Sequence, residues 1–282
     1  MNTVSFPGLN VLPFDMQRVA FAVGPVKVYW YGIIICTGIL AALIYINYRF
    51  KQINMNSDNL TDIALFTIPI AIIGARAYYV LTTLKDGYYK SFYDVVAIWD
   101  GGIAIYGAVI AGAITVIAVC KYRKFNTKAV LDCIAPAVML GQIIGRWGNF
   151  VNCEAYGSAQ TYSFFSKVFD ITDISLKNPL RMTVNGLLCH PTFLYESVWN
   201  FLGFVLINIF YKKKKFDGEV TLWYLGWYGL GRSIIEGFRT DSLYVLNIRI
   251  SQLVGVVCFA VCTLAVVTIR IKKKNNKFTE EI

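Results

Sequence analysis

The stretch PAVMLGQIIGRWGNFVNCEAYG, residues 136–157, decides the class of fold. Its first nine residues are mostly apolar, as in a helix that crosses a membrane, and an arginine, two asparagines and a glutamate follow within ten positions. Hydrocarbon does not solvate such groups, and one charge at the centre of a bilayer costs about 2.5–3.5 kcal/mol. The polar end of this run therefore predicts a buried partner or a ligand where a membrane helix ends.

The rest of the 282-residue chain has the composition of a membrane protein. Apolar residues make up 56% of it and charged residues 16%, with a mean hydropathy of +0.53. Runs of about 20 apolar residues, each long enough to cross a hydrocarbon core of about 30 Å, occur at 28–48, 60–82, 102–120, 129–149, 192–211, 220–238 and 250–271. The prediction is an all-α polytopic membrane protein with about seven transmembrane helices, forming a single integral membrane domain over 1–282.

The basic residues predict the orientation of the chain. Fifteen of the 27 lie in the first, third and fifth connections and in the C-terminal tail, namely Arg49, Lys51, Lys121, Arg123, Lys124, Lys128, the lysines at 212–215, Arg270, Lys272, Lys273, Lys274 and Lys277. Short cytoplasmic loops carry such an excess of Lys and Arg, so we expect the C-terminus in the cytoplasm and the N-terminus outside. The net charge of +10 then reflects topology, and no nucleic-acid partner is predicted.

Three segments lie outside the predicted spans. Residues 1–26 lack the basic start and short apolar core of a cleavable signal peptide, and we expect them to rest on the outer membrane surface. Residues 150–191 are polar and mixed, which predicts a small extracytoplasmic cap with short strands near 161–169 and 181–186. Residues 272–282 form a cytoplasmic basic tail.

The cysteines and the histidine predict neither a metal site nor a cofactor. Seven cysteines are scattered without a CxxC pair, and five of them lie inside the spans. The odd number and the spacing predict no disulfide framework, although a bridge between Cys153 and Cys189 stays open. His190 is the single histidine, so a zinc site built on histidines is not expected.

Arginines occupy three different spans at the same predicted depth. Arg76, Arg146 and Arg232 all fall toward the outer ends of spans that run outward from basic loops. Guanidinium groups match phosphate oxygens bidentately, so such a cluster suits the phosphate of an outer-leaflet lipid. The alternative for Arg76 is a helix lock through backbone carbonyls. Arg232 and Glu236 share one helix face, and this pair either neutralises itself or holds Arg232 for a ligand.

Polar residues after Arg146 exceed what a helix end requires. Asn149 and Asn152 are three positions apart, Glu154 follows, and glycines beside Arg146 permit close backbone approach. A plain helix end needs one capping residue, so these side chains are predicted to form part of a binding site.

Two further segments contribute candidates. Gly101 and Gly102 are predicted to open the third span and to leave N–H groups for an anion, and Tyr106 follows at the depth of the arginines. His190 begins the fifth span and Glu196 lies within it. His190 is a candidate base or, alternatively, a hydrogen-bonding residue at the helix entrance.

The long motif and five shorter ones resemble those of the bacterial prolipoprotein diacylglyceryl transferases. The family pattern Gly-Arg-x-Gly-Asn-Phe-x-Asn-x-Glu-x-x-Gly is filled at every fixed position, by Gly145, Arg146, Gly148, Asn149, Phe150, Asn152, Glu154 and Gly157. The shorter motifs follow the family's order, with WYG at 30–32, GAR at 74–76, GGIAIYG at 101–107, HPTFLYE at 190–196 and RSIIEGFR at 232–239.

The resemblance implies a reaction at a bacterial cytoplasmic membrane. Phosphatidylglycerol would donate its diacylglyceryl group to the lipobox cysteine of a prolipoprotein, glycerol phosphate would leave, and no metal or organic cofactor would be needed. Arg146 would bind the lipid phosphate and Arg232 would be the second essential cation.

The remaining roles are also carried over by position. Asn149, Asn152 and Glu154 would shape the headgroup site, which Tyr31, Gly101, Gly102 and Arg239 would complete, and Glu236 would support Arg232. The roles of His190, Arg76 and Glu196 stay open. Well-known members carry a histidine at the position of Tyr106, so here Tyr106 acts as a phenolate or hydrogen-bond donor, or no dedicated base is needed.

Two other classes of protein are weighed against this interpretation. A transporter for an anionic solute also uses arginines at helix ends, but it requires a polar path to the cytoplasm, whereas the inner halves of spans 1, 3 and 7 are uniformly apolar. A retinal-type receptor needs a lysine for a Schiff base, and the seventh span, 250–271, has none at its core.

Overall fold

A computed structural model of the protein describes residues 2–89, 91–158, 180–239, 244–245 and 248–280. Within these ranges the chain forms α1 (Trp30–Lys51), α2 (Ser57–Thr83), α3 (Phe92–Val96), α4 (Ile105–Tyr122), α5 (Thr127–Asn152), α6 (Thr192–Phe210), α7 (Glu219–Ile235) and α8 (Ile250–Glu280). All but the five-residue α3 coincide with the seven predicted spans.

The helices have the length and composition of membrane spans. Six segments among the described residues meet both criteria, namely Trp30–Lys51, Ser57–Thr83, Ile105–Tyr122, Thr127–Asn152, Thr192–Lys213 and Ile250–Asn276. The seventh helix, α7, has 17 residues and carries Arg232 in its last turn. Large apolar side chains such as Leu253, Val257 and Leu264 of α8 are more than half exposed, as expected of a surface that lipid covers. The predicted polytopic membrane fold is confirmed.

A small sheet accompanies the helices. Its strands are β1 (Asn2–Phe6), β2 (Val11–Met16), β5 (Gly157–Ser158), β6 (Met182–Val184) and β7 (Leu187–His190), in the order β2-β1-β6-β7-β5. Two-stranded ribbons form from β3 (Val19–Val23) with β4 (Val26–Tyr29) and from β8 (Tyr244–Val245) with β9 (Ile248–Arg249).

The N-terminal segment supplies β1 and β2 of the five-stranded sheet, which was not predicted from the sequence. In β1, Val4 pairs with Val184 of β6, and both side chains are almost fully buried beside Met182. The strand predicted near 181–186 is confirmed by β6, whereas the one predicted near 161–169 lies outside the described residues. Ser5, adjacent to Val4, is buried as well, and its hydroxyl forms a hydrogen bond with that of Thr183, at 2.7 Å.

The chain divides into two compact units, which we describe separately. Residues 45–133 form one, and residues 1–44 with 134–282 form the other. In the first unit, α2 packs on α4 where two glycines meet, and a Cβ atom on Gly107 would lie 2.2 Å from the carbonyl oxygen of Gly74. Backbone contact of this kind is the usual way for membrane helices to pack closely.

In the second unit, α6, α7 and α8 pack in sequence. Gly229 of α7 faces Gly255 of α8, where a Cβ atom on either would lie less than 3 Å from the other's carbonyl oxygen. Between α6 and α7, Trp199 and Trp227 stack at 4.6 Å, and each indole N–H donates to the other residue's carbonyl oxygen. This reciprocal pair fixes the register of α6 and α7 close to the residues of the candidate site.

Candidate functional site

Glu196 lies at the centre of a buried ionic cluster. Its side chain, in the second turn of α6, is 4% exposed, and three arginines contact its carboxylate. Arg146 of α5 contacts Oε2, while Arg232 of α7 donates from Nη1 to Oε1 at 3.0 Å. Arg239 donates to the same Oε1 at 3.4 Å. We call Glu196, Arg146, Arg232 and Arg239 the Glu196 cluster.

Local structure explains why these side chains converge. Pro191 precedes the first turn of α6, where a missing N–H is tolerated, so α6 begins directly after β7 and carries Glu196 in its second turn. In the segment that carries Arg232 and Arg239, α7 ends at Ile235 and a 3-10 turn covers Glu236–Phe238. Arg239 then forms an isolated β-bridge with Gly157, whose missing Cβ would lie 2.5 Å from the Phe238 carbonyl oxygen. Gly157 is thus required for close approach of the two segments.

A second buried carboxylate, that of Glu236, lies beside the cluster. Arg232 also contacts Glu236, which is 1% exposed, one helical turn further on. Among the described residues, Arg146, Arg232 and Arg239 therefore converge on the carboxylates of Glu196 and Glu236 in a largely buried place. Guanidinium groups bind phosphate oxygens bidentately, so this arrangement suits a phosphate group.

The end of α5 connects the cluster to the signature residues. Arg146 donates from Nη1 to Asn149 Oδ1 at 3.4 Å, and Asn149 Nδ2 donates to Glu154 Oε1 at 3.0 Å. Asn152 Nδ2 donates to the same oxygen at 3.4 Å. Cys153 has a φ of 51°, in the left-handed region, which turns the chain so that Glu154 folds back toward the helix. These predicted residues are brought together.

Tyr31 packs on the same helix. It lies in the first turn of α1, and a Cβ atom on Gly148 would be 2.9 Å from Cδ2 of its ring. Gly148, two positions after Arg146, thus leaves room for the Tyr31 ring against α5.

His190 occupies a packed environment beside the cluster's helix. It is 1% exposed, its Nδ1 lies 3.1 Å from the hydroxyl of Tyr195, and its ring centroid is 4.9 Å from that of Phe238. These contacts match the hydrogen-bonding interpretation, and the role of base stays a prediction. Burial raises the pKa of the neighbouring Cys189 thiol to about 12, so this thiol stays protonated at neutral pH.

Arg76 and the two glycines belong to the unit of residues 45–133. The Arg76 guanidinium donates to four backbone carbonyls, those of Asp94, Val95, Gly101 and Gly102, at 2.5–2.8 Å. The α4 helix begins at Ile105, so the prediction that the glycines open this helix is wrong. Their carbonyls face Arg76 instead, and the observed contacts support the helix-lock interpretation of Arg76.

Tyr106 lies in the first turn of α4, in that same unit. Its side chain is about half exposed, and its ring centroid is 6.3 Å from that of Tyr78. Its predicted catalytic role stays a prediction.

Sequence analysis missed polar residues that lie one helical turn beyond the cluster. Gln142 precedes Arg146 by four positions and Asn200 follows Glu196 by four, so each shares a helix face with a member of the cluster. Gln142 Nε2 donates to the hydroxyl of Tyr224, which is 9% exposed. The sequence does mark both residues as candidates, because polar side chains inside apolar spans are uncommon.

The fold and the site define a class of protein, a polytopic membrane protein with a buried, arginine-rich ionic cluster at the ends of its helices. Residues 18–268 match the family model described as Prolipoprotein diacylglyceryl transferase. The chain therefore belongs to the prolipoprotein diacylglyceryl transferase family, and the predictions of this family and of a transferase are confirmed.

Curated relatives agree with this assignment. The chain is 44% identical over 265 residues to phosphatidylglycerol–prolipoprotein diacylglyceryl transferase 1 of Clostridium perfringens, covering 93% of this chain and 98% of the relative. It is 43% identical to the phosphatidylglycerol–prolipoprotein diacylglyceryl transferase of Oceanobacillus iheyensis, covering 89% and 88%, and 42% identical to that of Streptococcus uberis, covering 94% and 100%.

Proposed function

We propose that this chain transfers the diacylglyceryl group of phosphatidylglycerol to the lipobox cysteine of prolipoproteins, at the Glu196 cluster. The observation that carries the proposal is the convergence of Arg146, Arg232 and Arg239 on one buried carboxylate. Guanidinium groups bind phosphate oxygens bidentately, which suits the phosphodiester of a lipid headgroup. Substrates named for the curated relatives, phosphatidylglycerol and a prolipoprotein, support the same choice of donor and acceptor.

The chemistry requires a nucleophile and a stabilised leaving group. A substrate thiol loses its proton, and the thiolate attacks the glycerol carbon that carries the phosphate. A carbon–sulfur bond forms as the carbon–oxygen bond breaks, and the electron pair stays on the departing glycerol phosphate, which gains negative charge. Arg146 and Arg232 hold this phosphate, since each guanidinium has five N–H donors and uses only some of them on the described residues. Preorganised cations in a dry site stabilise such charge strongly.

Supporting residues keep these cations in place. Glu196 and Glu236 orient Arg232, while Asn149 orients Arg146 and is in turn held by Glu154. Asn152 and Tyr31 shape the same region, and Arg239 adds the third cation. Tyr106 stays the candidate that the family pattern implies for action on the thiol, unless no dedicated base is needed.

The same proposal includes a location and an orientation. The chain lies in the bacterial cytoplasmic membrane with its N-terminus outside and its C-terminus in the cytoplasm, so that the site faces the outer leaflet. Basic loops at the opposite helix ends support this orientation.

A reconstituted transfer assay tests the function. Purified protein in detergent is incubated with phosphatidylglycerol and a lipobox peptide, and mass spectrometry detects the diacylglyceryl adduct of the peptide. We expect an adduct with the wild type, none with a peptide whose cysteine is replaced by serine, and a loss of at least about 100-fold with Arg146→Ala. Folded wild type that forms no adduct would overturn the function, whereas fully active Arg146→Ala would overturn only the phosphate site.

A further inference from the structure

Two buried amide oxygens near the Glu196 cluster lack a hydrogen-bond partner among the described residues. They are Oδ1 of Asn200, whose side chain is 2% exposed, and Oε1 of Gln142. Buried polar atoms are nearly always hydrogen-bonded, so an unpartnered one indicates a water or a ligand group. Tyr224 contacts only the amide nitrogen of Gln142.

The helix register places these two amides opposite each other. Arg146 contacts Glu196, and Ser197 Oγ donates to the Ile143 carbonyl oxygen at 3.1 Å, so α5 and α6 run antiparallel here. Gln142 lies one turn before Arg146 and Asn200 one turn after Glu196, which puts both at one level. Four residues of helix rise about 6 Å, so the pair lies about that far beyond the Glu196 cluster along the helices.

The chemistry of this level favours a neutral hydroxyl donor. An acceptor oxygen needs an O–H or N–H group, and the nearby arginines disfavour an ammonium through like-charge repulsion. A hydroxyl both donates and accepts, so it satisfies either end of an amide side chain. If the arginines hold a phosphate, a three-carbon group that is attached to it and carries hydroxyls is long enough to reach the two amides.

We propose that Asn200 and Gln142 form a hydroxyl-binding subsite that accepts the free hydroxyls of the donor lipid's glycerol headgroup. This proposal rests on the proposed function for the identity of the lipid. It makes the two amides determinants of headgroup specificity, which distinguish a polyol headgroup from one without hydroxyls. The phosphate contacts are shared by both kinds of lipid, so the amides supply the difference.

A competition between two lipids tests the subsite without requiring turnover. Detergent-solubilised protein receives equal amounts of phosphatidylglycerol and of phosphatidylpropanol, which has the same acyl chains and phosphodiester charge but no headgroup hydroxyl. Native mass spectrometry measures the ratio of the two bound lipids. We expect the wild type to favour phosphatidylglycerol by about tenfold, the discrimination of one hydrogen bond, and Asn200→Leu to bind both within about twofold.

Controls keep the result specific to this level. Asn208→Leu is the matched variant, because Asn208 lies two turns further along α6 and donates to the Phe204 carbonyl oxygen. It should keep the wild-type ratio, and Gln142→Met repeats the test if Asn200→Leu does not fold. Equal binding of both lipids by the wild type, or an unchanged ratio in the folded amide variant, would overturn the subsite and assign the oxygens to water.

The transfer assay on the same samples separates this proposal from the proposed function. A tenfold binding preference without any peptide adduct would keep the subsite and overturn the transfer reaction. An adduct formed equally well from both lipids would keep the reaction and overturn the subsite.

Discussion

Glu196 organises the site at the level of single residues. Its one carboxylate receives Arg146, Arg232 and Arg239, which come from three separate parts of the chain. Without this carboxylate the three guanidinium groups repel one another and lose their common anchor. We therefore propose that the glutamate is a positioning residue, whose effect on catalysis would pass through the arginines.

Replacing Glu196 by glutamine tests this role. Glu196→Gln keeps the size of the side chain and removes its charge, so we expect transfer to fall at least about 100-fold because the arginines are no longer held. The transfer rate per folded protein, with folding followed by thermal melting, measures the effect. Asp217→Asn, which removes an exposed partner of Lys214, serves as control and should stay within about twofold. Glu196→Gln with nearly full activity would contradict the role.

Tyr106 poses a second question at this scale, because well-known relatives carry histidine at its position. If the phenol acts on the substrate thiol, Tyr106→Phe loses about 100-fold in transfer rate, and Tyr106→His restores most of it, since both side chains exchange protons. Measuring the rate from pH 6 to 9 distinguishes the two active forms by the shape of their pH profiles. Equal rates for Tyr106→Phe and the wild type would mean that no dedicated base acts at this position.

At the scale of elements, glycines and tryptophans set the distance between α6 and α7. A Cβ atom on Gly231 would lie 2.1 Å from Nε1 of Trp199, and one on Gly203 would lie 2.3 Å from Nε1 of Trp227. The two indoles therefore fill the space that the glycines leave. Because Gly231 precedes Arg232, the same contact fixes the end of α7 that carries the arginine.

Gly231→Ala is expected to disturb both packing and activity. The added methyl group forces the Trp199 indole away, which costs about 1–3 kcal/mol by overpacking and moves Arg232 relative to Glu196. Thermal melting and the transfer rate should both fall, the rate by at least about tenfold. Gly226→Ala on the same helix is the matched control, because its nearest neighbour would be 3.6 Å away. Equal behaviour of the two variants would contradict the packing argument.

Sequence reasoning succeeds for these elements where the signal is local. Apolar runs reveal the helices because lipid exposure requires apolar side chains around most of their surface. The start of α4 was predicted too early, because Gly101 and Gly102 satisfy Arg76 through their carbonyls, a contact that depends on the fold of residues 94–102. Pairing of β1 with β6 joins residues about 180 positions apart, and no local pattern encodes that pairing.

At the scale of the whole molecule, the described residues include seven long helices, and an odd number of spans would put the two chain ends on opposite sides of a membrane. α8 has 31 residues, about 46 Å of helix, which exceeds a hydrocarbon core of about 30 Å. Its last turns, with Lys272, Lys273 and Lys274, therefore extend beyond the core.

Protease accessibility tests the orientation. In right-side-out membrane vesicles, we expect added protease to remove an N-terminal epitope and to spare a C-terminal one, because short cytoplasmic loops usually carry an excess of Lys and Arg. Immunoblotting before and after detergent lysis measures both epitopes, and lysis should expose the C-terminal one. Removal of the C-terminal epitope from sealed vesicles would contradict the orientation.

The site as a whole shows what a sequence leaves undetermined. Arg146 and Arg232 could be predicted as neighbours, because their depth in the membrane follows from the direction of each span. Arg76 was included for the same reason, yet its observed partners are four backbone carbonyls. Depth alone does not say which way a side chain points around its helix, so the central position of Glu196 required the packing of α5, α6 and α7.

The rate of diacylglyceryl transfer by Arg232→Gln, compared with Arg123→Gln, tests the central claim that the Glu196 cluster holds the phosphate of the donor. Arg123 forms an exposed ion pair with Asp62 in the other unit, so its variant should stay within about twofold of the wild type. Arg232→Gln should lose at least about 100-fold, because the departing phosphate loses a preorganised cation. Folded Arg232→Gln that transfers within a few-fold of the wild-type rate would contradict the account.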